Sequence, residues 1–567
     1  MTATVATRRK RARLRPQSID VSGPPRDRAP WLLGLAALVV YGIASWWGLP
    51  HASNALTIHG WDVDGVGGIA VLSELHSLLV KASPGWYRAY PVLHYLVLAV
   101  LYGPYMVYLK LTGGLSAPAA AYPFGLADPV GALRTLALIA RGLTLGMAAG
   151  VVVATYLTAR ELWGRRAGVL AALFVLLLGP MVFYARTTNL DVPTQFWSAL
   201  AALVAVRALR TELTIRRALL LGTLAALSVT TKDQAYGPWT LGLGYMALRC
   251  LLDQRGTPAQ RRRTALVLLG AAAGVYALAS GIPMWPGRFV AHVEYVIGYD
   301  HTFFNLQHAN ALTTLRPSTP AGYLALLGDV LLACTAALGP VLVLAGAAGL
   351  GIAWRRTPES RVLAWLAIGF VLLTLLPVHH MQYRYAMLPA SVLACFAAYL
   401  LSEGLRHPRL RAGALLVLVA GLGWQVLGAV DLTYQMLFDA RYAAGTWLGG
   451  RVVAGDRVGY FGAAHQLPPL PLGVVPVTLD RLPAPEQALR QGSVEWVVVA
   501  PDYFSDPARE HSVFLPDSTY RRLRDGSLGY RRVASFATAP LTGRPLPYLP
   551  YVNPRVQLFQ RVRPRSD

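Results

Sequence analysis

The chain has 567 residues, of which 54% are hydrophobic and 14% charged. Soluble domains carry roughly 25% charged residues, so this composition excludes an ordinary water-soluble protein and points to lipid as the solvent. The formal net charge is +24, but the basic residues form short clusters between long apolar runs. That is the pattern of cytoplasmic membrane loops, and nucleic acid is not expected as a partner. Nearly all of the positive charge is arginine, with lysine only at Lys10, Lys81, Lys110 and Lys232. The cysteines Cys250, Cys334 and Cys395 fall inside apolar segments, without metal-ligand spacing, so no disulfide framework is expected.

The N-terminus carries a basic run, Arg8-Arg9-Lys10-Arg11 with Arg13 and Arg15, and then a polar stretch to Pro30. The apolar segment at 31–49 ends in Trp46-Trp47 and is too long for a signal-peptide core, so it reads as a retained first span. Further segments long enough to cross lie at 133–157, 167–184, 193–209, 217–231, 236–252, 264–282, 323–352, 361–378, 386–404 and 412–430. The segment 91–111 is ambiguous, because Tyr90, His94, Tyr95, Tyr102, Tyr105 and Tyr108 make it richer in interfacial residues than a lipid-facing span.

The positive-inside rule arbitrates. With the N-terminal arginines in the cytoplasm and 91–111 lying in the interface, every internal cluster faces the cytoplasm: Arg160/Arg165/Arg166, Arg207/Arg210/Arg216/Arg217, Arg255/Arg261/Arg262/Arg263, Arg355/Arg356/Arg361 and Arg406/Arg409/Arg411. If 91–111 crosses, all of them land outside. The expected fold is therefore an α-helical polytopic membrane protein of about 11 spans. Residues 1–30 form a cytoplasmic tail and 31–431 the transmembrane domain, with 50–132 as a first external loop that carries interfacial helices. Residues 432–567 read as a small external α/β domain: Arg457–Gly462 and Val494–Ala500 are strand-like, and Glu486–Gln491 is helical.

Several external turns carry candidate chemistry. The first loop opens His59-Gly60-Trp61-Asp62-Val63-Asp64-Gly65, with two carboxylates close to the membrane surface. Such a carboxylate acts as a general base on a hydroxyl, holds a metal, or simply caps the apolar stretch that follows. Next comes Trp86-Tyr87-Arg88-Ala89-Tyr90-Pro91-Val92-Leu93-His94-Tyr95, a basic and aromatic approach to a proline-started helix that suits a lipid phosphate or an ordinary aromatic belt. Tyr184-Ala185-Arg186 precedes Asp191, whose plain reading is a helix cap; Arg186 stands on the face the rule disfavours for arginine. Lys232-Asp233 forms another turn, in which Lys232 pairs with a phosphate or with Asp233. His379-His380 with Arg384-Tyr385 ends the set and suits phosphate or sugar more than metal.

These residues, in this order, resemble the GT-C glycosyltransferases, in particular the branch with protein O-mannosyltransferases and lipid A aminoarabinose transferases. The resemblance covers almost the whole chain. That family carries an Asp-Glu pair in its first external loop. Here Asp64 fits the aspartate, Gly65 stands where glutamate is usual, and Asp62 can supply the second carboxylate. Tyr90-Pro91-Val92-Leu93-His94-Tyr95 is similar to its Tyr-Pro-Pro-Leu-x-Tyr segment, with Val92 for the second proline. Arg141, Arg160…Gly164-Arg165-Arg166-Ala167, Tyr184-Ala185-Arg186 with Asp191, Thr231-Lys232 and Arg384-Tyr385…Pro389 complete the match.

The resemblance implies an inverting transfer of a sugar from a polyprenyl-phosphate donor to an acceptor hydroxyl, with polyprenyl phosphate as leaving group. In that scheme Asp64 or Asp62 is the base. Arg88, Lys232, Arg384 and Arg186 bind the donor phosphate. Asp191, Tyr90, His94, Tyr95, His379, His380 and Tyr385 position donor or acceptor. The acceptor is a protein, lipid or polysaccharide. Some relatives of the fold use a divalent metal, and the resemblance leaves that open here. It implies a bacterial inner membrane with the N-terminus cytoplasmic and the C-terminal domain outside. A transporter or flippase for lipid-linked sugars, or a non-catalytic protein that binds them, is the rival reading. A transporter places ionisable groups near the bilayer midplane, whereas the groups above gather at one face. Cysteines introduced at 162–166 are expected to react with a membrane-impermeant thiol reagent only from the cytoplasmic side; labelling from outside overturns this topology.

Overall fold

A computed structural model of the chain describes residues 27–51, 60–62, 65–80, 90–119, 123–297, 315–502, 505, 509–543, 549 and 551–562. The sequence expectations for Asp64 and Arg88 lie outside these residues.

The chain opens with α1 (Ala29–Gly42), α2 (Gly68–Val80) and α3 (Leu93–Leu111). A long α4 (Pro129–Trp163) follows, capped by the Asp128 carboxylate on Gly131 N–H at 2.9 Å. Its 35 residues extend ~52 Å at 1.5 Å per residue, well past a ~30 Å hydrocarbon layer. Then come α5 (Arg165–Leu176), α6 (Gly179–Tyr184), α7 (Asp191–Arg210), α8 (Ile215–Thr231), α9 (Tyr236–Leu252), α10 (Pro258–Ala279) and α11 (Pro286–Ile297). The second half holds α12 (Pro320–Leu338), α13 (Pro340–Arg356), α14 (Arg361–Gly369), a π-helical turn Phe370–Leu375, α15 (Leu376–Val378), α16 (Met387–Arg406) and α17 (Arg411–Leu437).

Among the described residues, 7 helical stretches are long and apolar enough to cross a membrane; α3 is not one of them. Their outer faces are apolar. Leu416, Leu427, Leu266 and Leu324 are each more than 60% exposed. In water this surface would drive association, whereas in lipid it is the expected contact face.

Two runs that hydropathy reads as single spans are broken. The 167–184 run divides at Leu178-Gly179-Pro180 into α5 and α6. The 323–352 run divides at Gly339-Pro340, where Gly339 has φ +93° and a Cβ would lie 2.8 Å from the Trp424 ring. Glycine alone takes that backbone angle cheaply, and the following proline starts α13. The first span is also shorter than the 31–49 expectation, since α1 ends at Gly42 and a turn with Ala44 at φ +65° leads into Trp46-Trp47.

The C-terminal part contains α18 (Ala440–Gly449), β1 (Arg457–Tyr460), β2 (Val475–Thr478), α19 (Pro485–Arg490), β3 (Trp496–Val499), α20 (Asp517–Arg524), β4 (Tyr530–Phe536) and β5 (Val556–Arg561). The sheet order is β2-β1-β3-β5-β4, with β2, β1 and β3 parallel and β5 and β4 antiparallel additions. Side chains alternate along β3. Trp496 and Val498 pack with Leu448 of α18, while Val497 and Val499 pack with Leu489 and Leu523 of α19 and α20.

One buried knot joins this sheet domain to the helices. Arg441 donates Nε to Asp439 Oδ1 at 2.9 Å and Nη2 to Asp439 Oδ2 at 2.7 Å, and both side chains are fully buried. Trp47 Nε1 donates to the same carboxylate at 3.0 Å. The guanidinium lies 3.9 Å from the Trp61 ring centroid, and Trp61 Nε1 donates to Leu467 O at 3.1 Å. Removing one partner from a buried, hydrogen-bonded ion pair strands the other charge. Arg441→Met is therefore expected to cost about 3–5 kcal/mol, read as a lower melting temperature in detergent and faster proteolytic release of the C-terminal domain; an unchanged melt contradicts the role given to the knot.

Candidate active site

Three elements far apart in sequence meet at one end of the helix bundle. Asp191 is the first residue of α7, Lys232 lies in the turn between α8 and α9, and Arg384 lies in the short 3-10 segment that leads into α16. Lys232 Nζ donates to Asp191 Oδ2 at 2.7 Å, and Arg384 Nε stands 3.9 Å from the same oxygen. All three are at least nine-tenths buried. Asp191 does not cap its own helix, because its N–H is taken by Asn189 Oδ1 at 2.8 Å and its carboxylate faces Lys232. Lys232 likewise does not pair with Asp233, whose partner is His292 of α11 at 3.1 Å.

The lysine turn is fixed from behind. Thr374 Oγ1, in the π-helical turn, donates to Gln234 O at 3.0 Å. Such single π turns concentrate at functional sites. Gly237 and Gly369 let α9 and α14 cross with their backbones in contact; a Cβ on either would strike the other's carbonyl. Gln234 Nε2 donates to Tyr385 Oη at 3.0 Å, and the rings of Tyr385 and Tyr90 each lie 6.0 Å from Lys232 Nζ. Asp191, Lys232, Gln234, Phe370, Arg384 and Tyr385 line a cleft of about 390 Å³. Gln195, Ser198 and Leu388 belong both to this cleft and to an inner one of about 430 Å³, which reaches Thr155, Ser391 and Cys395.

Asp62 stands at the next turn. Its Oδ2 accepts Thr188 N–H at 3.1 Å, and Val66 N–H donates to Thr188 O at 3.2 Å. The first loop is thereby laced to the segment that delivers Asp191. Asp62 also lies within electrostatic reach of Arg141, whose Nη1 donates to the carbonyls of Ser45 and Trp47 at 2.6 and 2.7 Å. A Cβ at Gly65 would lie 2.6 Å from Asp62 Oδ2 and 2.7 Å from Thr188 Oγ1. The missing side chain at this position makes room for the Asp62 carboxylate.

The remaining predicted residues fall elsewhere. Arg186 does not line the cleft; it donates to Val40 O at 2.8 Å and Thr433 Oγ1 at 2.9 Å, tying α1 to α17. Burial lowers its pKa to about 10, which leaves it charged at neutral pH. His94 is buried in α3, and burial lowers its pKa to about 4, so at neutral pH it is uncharged and supplies no cation to a phosphate. Tyr95 packs beside Leu98 and Tyr102. His379 takes φ +60°, accepts Arg316 N–H on its carbonyl at 2.7 Å and meets the Tyr323 ring at 5.2 Å. His380 is buried, with its ring 5.7 Å from Tyr385.

Sequence reasoning did not single out Glu74, fully buried on α2 within reach of Tyr95, nor Gln195 and His292. A lone acid inside an apolar helix was the available signal for Glu74. Among the described residues there is no group of three or more His, Cys, Asp or Glu able to hold a metal.

No family profile and no curated protein matches the chain. Among solved structures, it is similar to ArnT from Cupriavidus metallidurans in the apo state, at 16% identity and a TM-score of 0.45 over 93% of this chain and 97% of that one. It is also similar to ArnT from the same organism bound to undecaprenyl phosphate, at 16% identity and a TM-score of 0.42 over the same shares, 93% and 97%. A third likeness is to the archaeal oligosaccharyltransferase AglB from Archaeoglobus fulgidus, in complex with an inhibitory peptide and a dolichol-phosphate. Its identity is 13% and its TM-score 0.44, over 94% of this chain and 88% of that one. These structural neighbours are GT-C glycosyltransferases. The scores and identities are low, so the functional reading rests on the site's own geometry.

Lys232→Met is expected to destabilise the fold by on the order of 3 kcal/mol, because Asp191 loses its close partner. Adding Asp191→Asn should restore most of the melting temperature in detergent. Failure of the double variant to recover stability would show that Lys232 does not neutralise Asp191.

Proposed function

We propose that the protein is an inverting glycosyltransferase that moves a sugar from a polyprenyl-phosphate donor to an acceptor hydroxyl on the external face of a bacterial inner membrane. The observation that carries the reading is the convergence of Lys232 and Arg384 on Asp191 at the cleft, with Asp62 laced to the same turn. Two cations held side by side in a low-dielectric cleft suit the oxygens of a phosphate, which both can engage. The sequence resemblance supplies the class of reaction.

The chemistry follows from the charges. The acceptor O–H gives its proton to a first-loop carboxylate, Asp62 in the described part of the loop, with Asp64 as its neighbour in sequence. The acceptor oxygen attacks the anomeric carbon from the side opposite the phosphate, which inverts that centre. The bond from that carbon to the phosphate oxygen breaks, and its electron pair leaves with polyprenyl phosphate. Lys232 and Arg384 stabilise the charge that grows on the leaving oxygen, an interaction stronger in the transition state than before it. Asp191 holds Lys232 in place. Tyr90 and Tyr385 flank the ammonium and confine it. Thr188 N–H and Arg141 orient the Asp62 carboxylate toward the acceptor side.

A transporter reading finds less support. Among the described residues the inner cleft is lined by Thr155, Thr158, Gln195, Ser198, Ser391, Cys395 and apolar residues, without an ionisable pair to carry a coupling ion. The decisive assay incubates purified protein with a panel of radiolabelled polyprenyl-phosphate monosaccharides and an acceptor extract, and follows release of polyprenyl phosphate. Asp62→Asn is expected to lower the rate by ~10²–10⁴ with donor binding retained, and Arg384→Ala to weaken donor binding and turnover together. Asp62→Asn and Asp64→Asn variants that both transfer at the normal rate would remove the general-base assignment. Chelator added to the same assay tests for a divalent metal.

A further inference from the structure

The sheet domain carries a second groove, unconnected to the chemistry above. It has a volume of about 1000 Å³, and its lining includes Trp447, Arg451, Trp496, Arg531, Arg532 and Gln560. The sheet register builds its floor. Trp496 of β3 pairs with Gln560 of β5, and Gln560 pairs with Arg531 of β4, so the three stand in one row across the strands. A β-bulge between Arg532 and Ala534 breaks the alternation immediately after that row. Bulges re-aim side chains and are common beside binding sites; Arg531 stands on the Trp496 face just before the break, while Arg532 pairs with Phe559 and donates Nη1 to Gln557 Oε1 at 3.4 Å on the other face.

The opposite wall is α18 and the residue just past it. Trp447 is held edge-on by Trp496, with ring centroids 6.0 Å apart at 84°, and touches Phe536 at 6.3 Å. Arg451 lies over the Trp447 ring at 4.0 Å and donates Nη1 to the Trp447 carbonyl at 3.1 Å. Its guanidinium is thus pre-placed, and less side-chain freedom is lost when it binds a ligand. Among the described residues no carboxylate lines the groove. Arginines on both walls, an indole between them and a side-chain amide on the floor make an uncommon surface. The cations call for a ligand with more than one negative charge, spaced along its length. The indole offers an apolar face to ring C–H groups, and the Gln560 amide both donates and accepts toward hydroxyls.

We propose that this groove binds a segment of an anionic saccharide chain, with sugar rings against Trp447 and carboxylate or phosphate substituents on Arg451 and Arg531. The biological setting rests on the reading of this domain as external and of the protein as a glycosyltransferase, in which case the groove holds a polymeric acceptor. Binding itself is measured without turnover. A protein that binds but never transfers sinks the reading of the cleft and leaves the groove standing, and the reverse result separates them the other way.

The test titrates the full detergent-solubilised chain with oligogalacturonate, with a neutral maltooligosaccharide of equal length, and with phosphatidylglycerol vesicles. The expected result is saturable binding of oligogalacturonate, at least ~10-fold tighter than the neutral chain and weakened by added salt. Arg531→Glu, at an exposed position where folding makes no demand, is expected to weaken binding ~10-fold or more with the melting temperature unchanged. Trp447→Ala is expected to weaken binding of both saccharides. Equal affinity for the neutral chain, or normal oligogalacturonate binding by Arg531→Glu, overturns the proposal. Vesicle binding that Arg531→Glu abolishes, with no saccharide bound, also overturns it and assigns the groove to anionic lipid headgroups.

Discussion

The buried pair of Arg441 and Asp439 is the point on which the geometry of the molecule turns. A lone charge in that place would be untenable, so each member demands the other, and both demand the ring of polar atoms around them. Asp439 takes the Trp47 indole N–H from the end of the first helix and the Asn553 backbone N–H from the C-terminal segment. Arg441 takes the carbonyls of His465 and Tyr551 and lies against Trp61. Trp61 is bonded to Asp62. The contact that seats the sheet domain on the helices therefore also sets where the first-loop carboxylate starts. The tail is part of the support of the candidate base as well as an appended domain.

The cleft obeys the same electrostatics with a different outcome. At the knot the charges balance, every carboxylate oxygen is occupied, and the result is rigid. At the cleft Lys232 and Arg384 both turn to one carboxylate, the first at 2.7 Å and the second at 3.9 Å. Holding two cations side by side in a buried place requires firm backing. The π-helical turn through Thr374 and the touching backbones of Gly237 and Gly369 supply it. A straight α-helix over 361–378 would carry Phe370 and Thr374 on to other faces and leave the lysine turn unsupported.

Much of this was legible in the sequence where a single residue type carried the signal. Arginine clusters marked one face, and turns with Asp191, Lys232 and Arg384 on the other were enough to propose a shared site. β3 was visible because a Val-rich run buried on both faces leaves few alternatives, and β1 because a short apolar run closes on Gly462. β4 was not, since Tyr530-Arg531-Arg532-Val533 at a sheet edge lacks any clean alternation. The knot was invisible for a different reason: Trp47 and Asp439 are separated by 392 positions, and nothing local at either end names its partner. The broken runs at Gly179-Pro180 and Gly339-Pro340 misled because a hydropathy average does not register a change of direction. Arg186 shows the limit of reasoning by face alone. An arginine where the rule disfavours one does have a reason to be there, but the reason is a tie between α1 and α17.

Gly65 carries a historical consequence. The space its side chain would fill is taken by Asp62 Oδ2 and Thr188 Oγ1. The two loop positions are therefore not independent as sequences drift. A side chain gained at 65 has to come with a turn of the Asp62 carboxylate or the Thr188 hydroxyl out of the space they now share, so a change at one loop position is felt at the other.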